Sequence, residues 1–135
     1  MNDEFERILN QISDISVTKT QLVQFEYFYN ELNVWNDRMN LTGSTDKEKI
    51  YFDHFLDSLF PTYIYKKTFF GHKNVLDVGT GAGFPGLPIK ILFPKIKICL
   101  LESIFFYFPL SFSFWQTLVF CCTSGILYFC IALPS

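Results

Sequence analysis

Residues 77–86 read Asp-Val-Gly-Thr-Gly-Ala-Gly-Phe-Pro-Gly, and what stands on either side of this glycine cluster decides the fold class. Ahead of it, Asn74 to Val78 is a short apolar run of the kind that forms a buried parallel strand. Behind it, Leu87 to Phe93 reads as a short helix ended by Pro94, and Ile96 to Leu101, bounded by Pro94 and Glu102, reads as a second strand. Strand, glycine turn, helix, strand is the opening unit of a doubly wound α/β sheet, whose ligands lie at the carboxyl ends of the strands. Gly79, Gly81 and Gly83 alternate directly after the first strand, where missing side chains permit a sharp turn and a close approach of ligand to main chain. The helix that follows is expected to aim free N–H groups at a polar or anionic group, although Pro85 and Pro88 donate none.

Upstream, the apolar period is helical. Phe5, Ile8, Leu9 and Ile12 share one helix face, and Leu22, Phe25, Leu32, Trp35 and Met39 form a longer stripe after a break near Ser16. Thr18 followed by Gln21 has the capping-box pattern, so the second helix is predicted to start there. Thr45 and Glu48 repeat the signal, which predicts a third helix from about Asp46 to Phe60, stopped by Pro61, with Phe52, Phe55, Leu56 and Leu59 buried. The chain thus divides into an N-terminal helical region, residues 1–66, a strand-helix-strand unit, 67–103, and a tail, 104–135.

With 135 residues the chain has length for one compact domain and not for two. Residues 1–60 hold 5 basic and 11 acidic side chains, residues 61–102 hold 6 and 2, and the tail holds none. That balance lacks the strong positive field with which a nucleic-acid binder grips phosphates. Lys66, Lys67, His72 and Lys73, the one basic cluster, read as a solvated loop. The four cysteines match neither a paired-thiolate metal site nor a disulfide framework, and the acidic start, Asn2-Asp3-Glu4-Phe5-Glu6, is no secretory signal. A cytoplasmic, monomeric protein without metal is expected.

The turn by itself leaves its ligand open. Gly81, Gly83 and Gly86 satisfy the dinucleotide pattern G-x-G-x-x-G, and Glu102, 19 residues after Gly83, suits a grip on ribose hydroxyls for NAD as well as for S-adenosyl-L-methionine. A tight turn with no ligand is a third reading. Asp77 separates them, because Asp-x-Gly-x-Gly-x-Gly resembles the first motif of class I S-adenosylmethionine-dependent methyltransferases.

The flanking residues narrow this further: Trp35-Asn36, Met39-Asn40-Leu41-Thr42, His54-Phe55-Leu56-Asp57-Ser58, Asp77 to Pro88, and Leu100-Leu101-Glu102-Ser103. In this order they resemble the glucose-inhibited division protein B family, the bacterial small-subunit (16S) ribosomal RNA guanine-N7 methyltransferases, over about Leu22 to Ser103. The resemblance implies a Rossmann-like class I methyltransferase sheet preceded by N-terminal helices. It also implies transfer of a methyl group from S-adenosylmethionine to N7 of a guanosine in small-subunit ribosomal RNA or a ribosomal subunit precursor. N7 carries a lone pair and no proton, so no general base is needed and no catalytic residue is assigned. Carried over by motif, Gly79 and Phe84 line the cofactor site, Gly81 and Gly83 shape it, Glu102 takes the ribose, and Asp77 and Ser103 complete the set. His54 and Asp57, at i and i+3, are expected to bond one another or to serve substrate or cofactor. Trp35, Asn36, Asn40 and Thr42 are read as a structural helix terminus in which Asn40 or Thr42 satisfies exposed backbone.

After Ser103 the resemblance ends. Family members continue with a basic segment and further strands, whereas here Ile104-Phe105-Phe106-Tyr107 follows. From Leu110 to Leu133 run 24 uncharged residues, enough at about 1.5 Å per residue to cross a hydrocarbon layer of ~30 Å as a transmembrane helix. Ser111, Ser113, Gln116, Thr117, Thr123, Ser124 and Gly125 dilute that run, and no Lys or Arg flanks it, so membrane contact is not favoured. A shifted reading frame accounts better for so abrupt a loss of charge. The sheet is then expected to be incomplete, with a bare hydrophobic edge, and the chain to be a truncated, impaired methyltransferase or a non-catalytic remnant.

Overall fold

The computed structural model describes residues 3–13, 16–64, 74–102, 118–123 and 126–131. Helix α1 (Asp3–Ser13) buries Phe5 and Leu9 completely, with Ile8 half-buried beside them. Helix α2 (Lys19–Met39) begins where the capping box places it: Thr18 Oγ1 accepts from the Gln21 N–H at 3.2 Å, and Gln21 Oε1 accepts from the Thr18 N–H at 2.8 Å. Its buried stripe is Leu22, Phe25, Phe28 and Leu32; Trp35, expected in that stripe, is only half-buried and lies 5.2 Å under the Arg38 guanidinium. Asn40 ends the helix in the left-handed region, φ 49°, with its N–H on the Asn36 carbonyl at 2.9 Å. The Asn36 side chain accepts from the Thr42 N–H at 2.7 Å, and the Thr42 hydroxyl serves the Ser44 carbonyl at 2.8 Å. The Trp35–Thr42 motif is therefore a helix terminus, as its residues suggest.

The third helical stretch departs from the sequence expectation in three respects. Its N-cap is Asp46, whose Oδ1 accepts from the Lys49 N–H at 2.9 Å, and not Thr45; an ionised carboxylate is the stronger acceptor for a helix's first N–H groups. After one turn, α3 (Lys47–Lys49), the backbone widens into a π turn (Ile50–Leu56) before α4 (Asp57–Ile64) resumes. Bonding from i to i+5 alters the angular step between residues. The buried set is accordingly Ile50, Tyr51, Phe55 and Leu59, while Phe52 and Leu56 are half-buried. Finally, the helix passes through Pro61 to Ile64. Proline's fixed φ is helical, and continuing buries Thr62, whose hydroxyl donates to the Leu59 carbonyl at 2.6 Å.

Strands β1 (Asn74–Val78) and β2 (Lys97–Glu102) pair in parallel, Asp77 opposite Leu100, across helix α5 (Gly86–Leu92). Every residue of α5 is buried, because it is packed between the sheet and the helical layer. Lys90 is included: its Nζ donates to the Pro94 and Ile96 carbonyls at 2.8 and 2.6 Å, and burial pushes its pKa down. One expectation fails for β1, which is covered on one face only. Leu76 and Val78 are 57% and 68% exposed, since α5 lies on the opposite face, against Asp77, Ile98 and Leu100.

Within the tail, Leu118–Thr123 (β3) and Ile126–Ile131 (β4) are antiparallel strands and not a transmembrane helix. Among the described residues no helix is long and apolar enough to cross a membrane. Thr123 pairs with Ile126. β4 lies antiparallel against β2, giving the order β1-β2-β4-β3; the outer edge of β2 is thus paired and not bare.

Beside Glu26 the helical layer carries a charged cluster. Lys47 Nζ and the Tyr51 hydroxyl each donate to its carboxylate at 2.7 Å. Burial works to raise the Glu26 pKa, but these two donors outweigh it and hold the carboxyl below its usual range. A pKa lowered by folding contributes stability above the unfolded value of 4.5 that is lost as pH falls through the folded value. Glu26→Gln is therefore expected to be less stable than the wild type at neutral pH, with the gap closing below pH 4.5 in urea titrations. A gap independent of pH would contradict this.

Candidate cofactor-binding site

The glycine turn is assembled around one carboxylate. Asp77, 8% exposed at the end of β1, accepts through Oδ2 from the Thr80 hydroxyl at 2.8 Å and the Gly86 N–H at 2.9 Å, so it joins both ends of the turn. The Gly79 and Thr80 N–H groups both donate to the Leu101 carbonyl, at 2.8 and 3.2 Å, which sets the turn beside the end of β2 next to Glu102. Gly83 and Phe84 then donate to the Thr80 carbonyl at 2.9 Å each, and the Phe84–Pro85 peptide is cis.

The glycines divide into two kinds. Gly79 and Gly81 sit at φ 75° and 55°, and a Cβ on either would meet nothing within 4 Å. These two positions border open space. Gly86 is the opposite case: a Cβ there would collide with the Leu100 side chain and come within 2.8 Å of Asp77 Oδ2. It is small because helix and strand touch there. Gly83, at φ 99°, is crowded in the same way by Leu87.

A model of the GidB family, described as rRNA small subunit methyltransferase G, matches residues 21–105. The chain belongs to the GidB family. Proteins named ribosomal RNA small subunit methyltransferase G are similar to it: one from Halalkalibacterium halodurans is 46% identical over 89 residues, 66% of this chain and 37% of the relative. One from Bacillus cytotoxicus is 40% identical over 102 residues, 76% of this chain and 41% of the relative, and one from Staphylococcus aureus is 42% identical over 91 residues, 67% and 37%. The chain spans about two-fifths of the length of these relatives. The α/β arrangement, helices ahead of a sheet with parallel β1 and β2, agrees with GidB membership. The GidB match covers α2 through β2, with β3 and β4 beyond it.

Of the residues expected from the sequence to form a cofactor site, Asp77, Gly79, Gly81, Gly83 and Phe84 lie together in the turn, and Glu102 is the last residue of β2, which the turn adjoins. Ser103 lies outside the described residues, as does the basic cluster of Lys66, Lys67, His72 and Lys73. Phe84 is half-buried, its ring 5.4 Å from Phe28 and 5.3 Å from His54. The Asp57 N–H donates to the His54 carbonyl, but no bond between the two side chains is seen among the described residues; the imidazole packs on Phe84, and Asp57 is exposed. The N–H groups expected to be free at the start of α5 are used, Gly86 on Asp77 and Leu87 on the Gly83 carbonyl at 2.8 Å.

Two contributors escaped sequence reasoning. Thr80 is buried and supplies both the hydroxyl for Asp77 and the carbonyl for Gly83 and Phe84. Its place between alternating glycines was the available signal. Gln21, 70 residues away from Ile91, donates through Nε2 to the Ile91 and Leu92 carbonyls at 3.0 and 2.9 Å, and no local pattern announces so distant a bond. Among the described residues no three His, Cys, Asp or Glu side chains converge as a metal site. A groove lined by Val23, Glu26, Tyr27, Asn30 and Lys47 contains no residue of the turn.

Proposed function

We propose that this chain binds S-adenosyl-L-methionine at the 79–86 turn and belongs to the machinery that methylates N7 of a guanosine in small-subunit ribosomal RNA, in the cytoplasm. One observation carries the reading: two left-handed glycines at the carboxyl end of β1 with open space where side chains would stand. Such a cradle fits a bulky ligand laid against main chain. Gly79 and Gly81 would admit the cofactor, Glu102 would hold its ribose, and Asp77 would keep the turn in shape. When bound, S-adenosylmethionine supplies an electrophilic methyl group. Guanine N7 has no proton to lose, so this chain's task is to orient and to exclude water, without a general base.

NAD is the competing ligand, because Gly81, Gly83 and Gly86 also fit the dinucleotide pattern. Isothermal titration with both compounds separates them: heat with S-adenosylmethionine and none with NAD is expected, and the reverse would replace this proposal by an oxidoreductase. For RNA the expectation is different. Residues 104–135 carry no cation to neutralise phosphate. Methyl incorporation into purified small-subunit RNA should therefore fall far below that of a full-length relative, and equal incorporation would show that this chain holds RNA without those charges.

A further inference from the structure

The π turn, Ile50–Leu56, is the irregular part of the helical layer, and it faces the glycine turn. In an α-helix, consecutive side chains diverge by about 100°, and bonding from i to i+5 changes that step. Here two consecutive side chains reach one ring. The His54 ring lies 5.3 Å from the Phe84 ring and the Phe55 ring lies 6.0 Å from it, tilted by 31° and 37°. Widened helical turns of this type recur at functional sites, where they re-aim a side chain. The turn is fastened from within as well, since the Ser58 hydroxyl donates to the His54 carbonyl at 2.5 Å.

Phe84 is the residue through which the glycine turn meets the helical layer, and three rings surround it: Phe28, Phe55 and His54. Phe28 and Phe55 are core residues, 1% and 0% exposed. His54 is half-buried, so it can be removed without emptying the core. Next to Phe84 stands Gly83, at φ 99°, and the N–H groups of both residues rest on the Thr80 carbonyl. Thr80 stands between Gly79 and Gly81, so these two hydrogen bonds tie the Phe84 backbone to the segment that borders the open space.

We infer that His54 is a positioning residue for the glycine turn: presented by the π turn, its imidazole completes a cage of rings around Phe84 and so holds residues 79–86 in the shape that receives the cofactor. The last step rests on the proposed function; the hold on the turn does not. A merely structural histidine would stabilise the whole fold, whereas a positioning one acts on the turn.

Amide hydrogen exchange under native conditions, on wild type, His54→Ala and His54→Phe, distinguishes these. Exchange at Gly83, Phe84, Gly86 and Leu87 is expected to quicken by up to about tenfold in His54→Ala, with Phe25 and Phe28 in α2 unchanged and with His54→Phe close to wild type. Equal acceleration in α2, no acceleration at the turn, or failure of phenylalanine to restore protection would each overturn the inference. S-Adenosylmethionine titration of the same proteins should show affinity falling in parallel and recovering in His54→Phe. Looser exchange with unaltered affinity would overturn the role in receiving cofactor. If the wild type binds no S-adenosylmethionine, the proposed function fails, while the exchange data still decide whether His54 holds the turn.

Discussion

Replacing Asp77 with alanine is expected to cost about 3 kcal/mol of stability and to lower the melting temperature by roughly 10 °C. The carboxylate accepts from the Thr80 hydroxyl and the Gly86 N–H, and both bonds are buried. Removing it strands the Gly86 N–H, which is buried between α5 and the sheet beside the apolar side chains of Leu100 and Ile98. Asp77→Asn retains an acceptor for that N–H and should lose less than half as much. Urea unfolding of the three proteins checks the order. Equal stabilities for Asp77→Ala and Asp77→Asn would mean that the carboxylate is not what joins the ends of the turn.

The second large effect separates the glycines. Gly86→Ala is expected to destabilise by about 3 kcal/mol through overpacking against Leu100 and Asp77, with any loss of ligand affinity secondary to unfolding. Gly79→Ala and Gly81→Ala should each cost only about 1–2 kcal/mol of left-handed strain, because their Cβ positions are open. Both should nonetheless weaken S-adenosylmethionine binding by about a hundredfold or more, since the new methyl group stands where ligand would press on the main chain. Gly43, with nothing within 4 Å and ordinary φ, is the control, within about 0.5 kcal/mol of wild type when changed to alanine. Loss of affinity that simply tracked loss of stability across the series would argue against a ligand at the turn.

These contrasts show where sequence reasoning reaches and where it stops. The capping box at Thr18 and the helix terminus at Asn40 were legible because each is a contract between residues a few positions apart. The strand-turn-helix-strand unit was legible for the same reason, its punctuation by glycine and proline being local. The π turn was not, since a widened turn leaves no composition of its own and shows only in which neighbour, Tyr51 or Phe52, is buried. Pro61 misled because a proline inside a helix is weighed against packing that lies elsewhere in the chain, here around Leu59 and Thr62. In the tail, a long apolar run satisfies the length rule for a membrane helix and the composition of two strands equally, and periodicity alone does not choose between them. At the site, spacing identified the glycines but not their division into open and crowded positions, which depends on Leu87 and Leu100 packing from the side.

Gln21 has a further consequence for anyone seeking a smaller cofactor-binding fragment. Its amide closes the capping box of α2 with the oxygen and, with the nitrogen, takes the last carbonyls of α5. A piece begun after residue 64 would leave those carbonyls without their donor and expose the flank of α5 that α2 covers. A fragment that keeps α5 covered therefore starts no later than Thr18, and shortening from the front should yield insoluble protein long before it reaches the glycines.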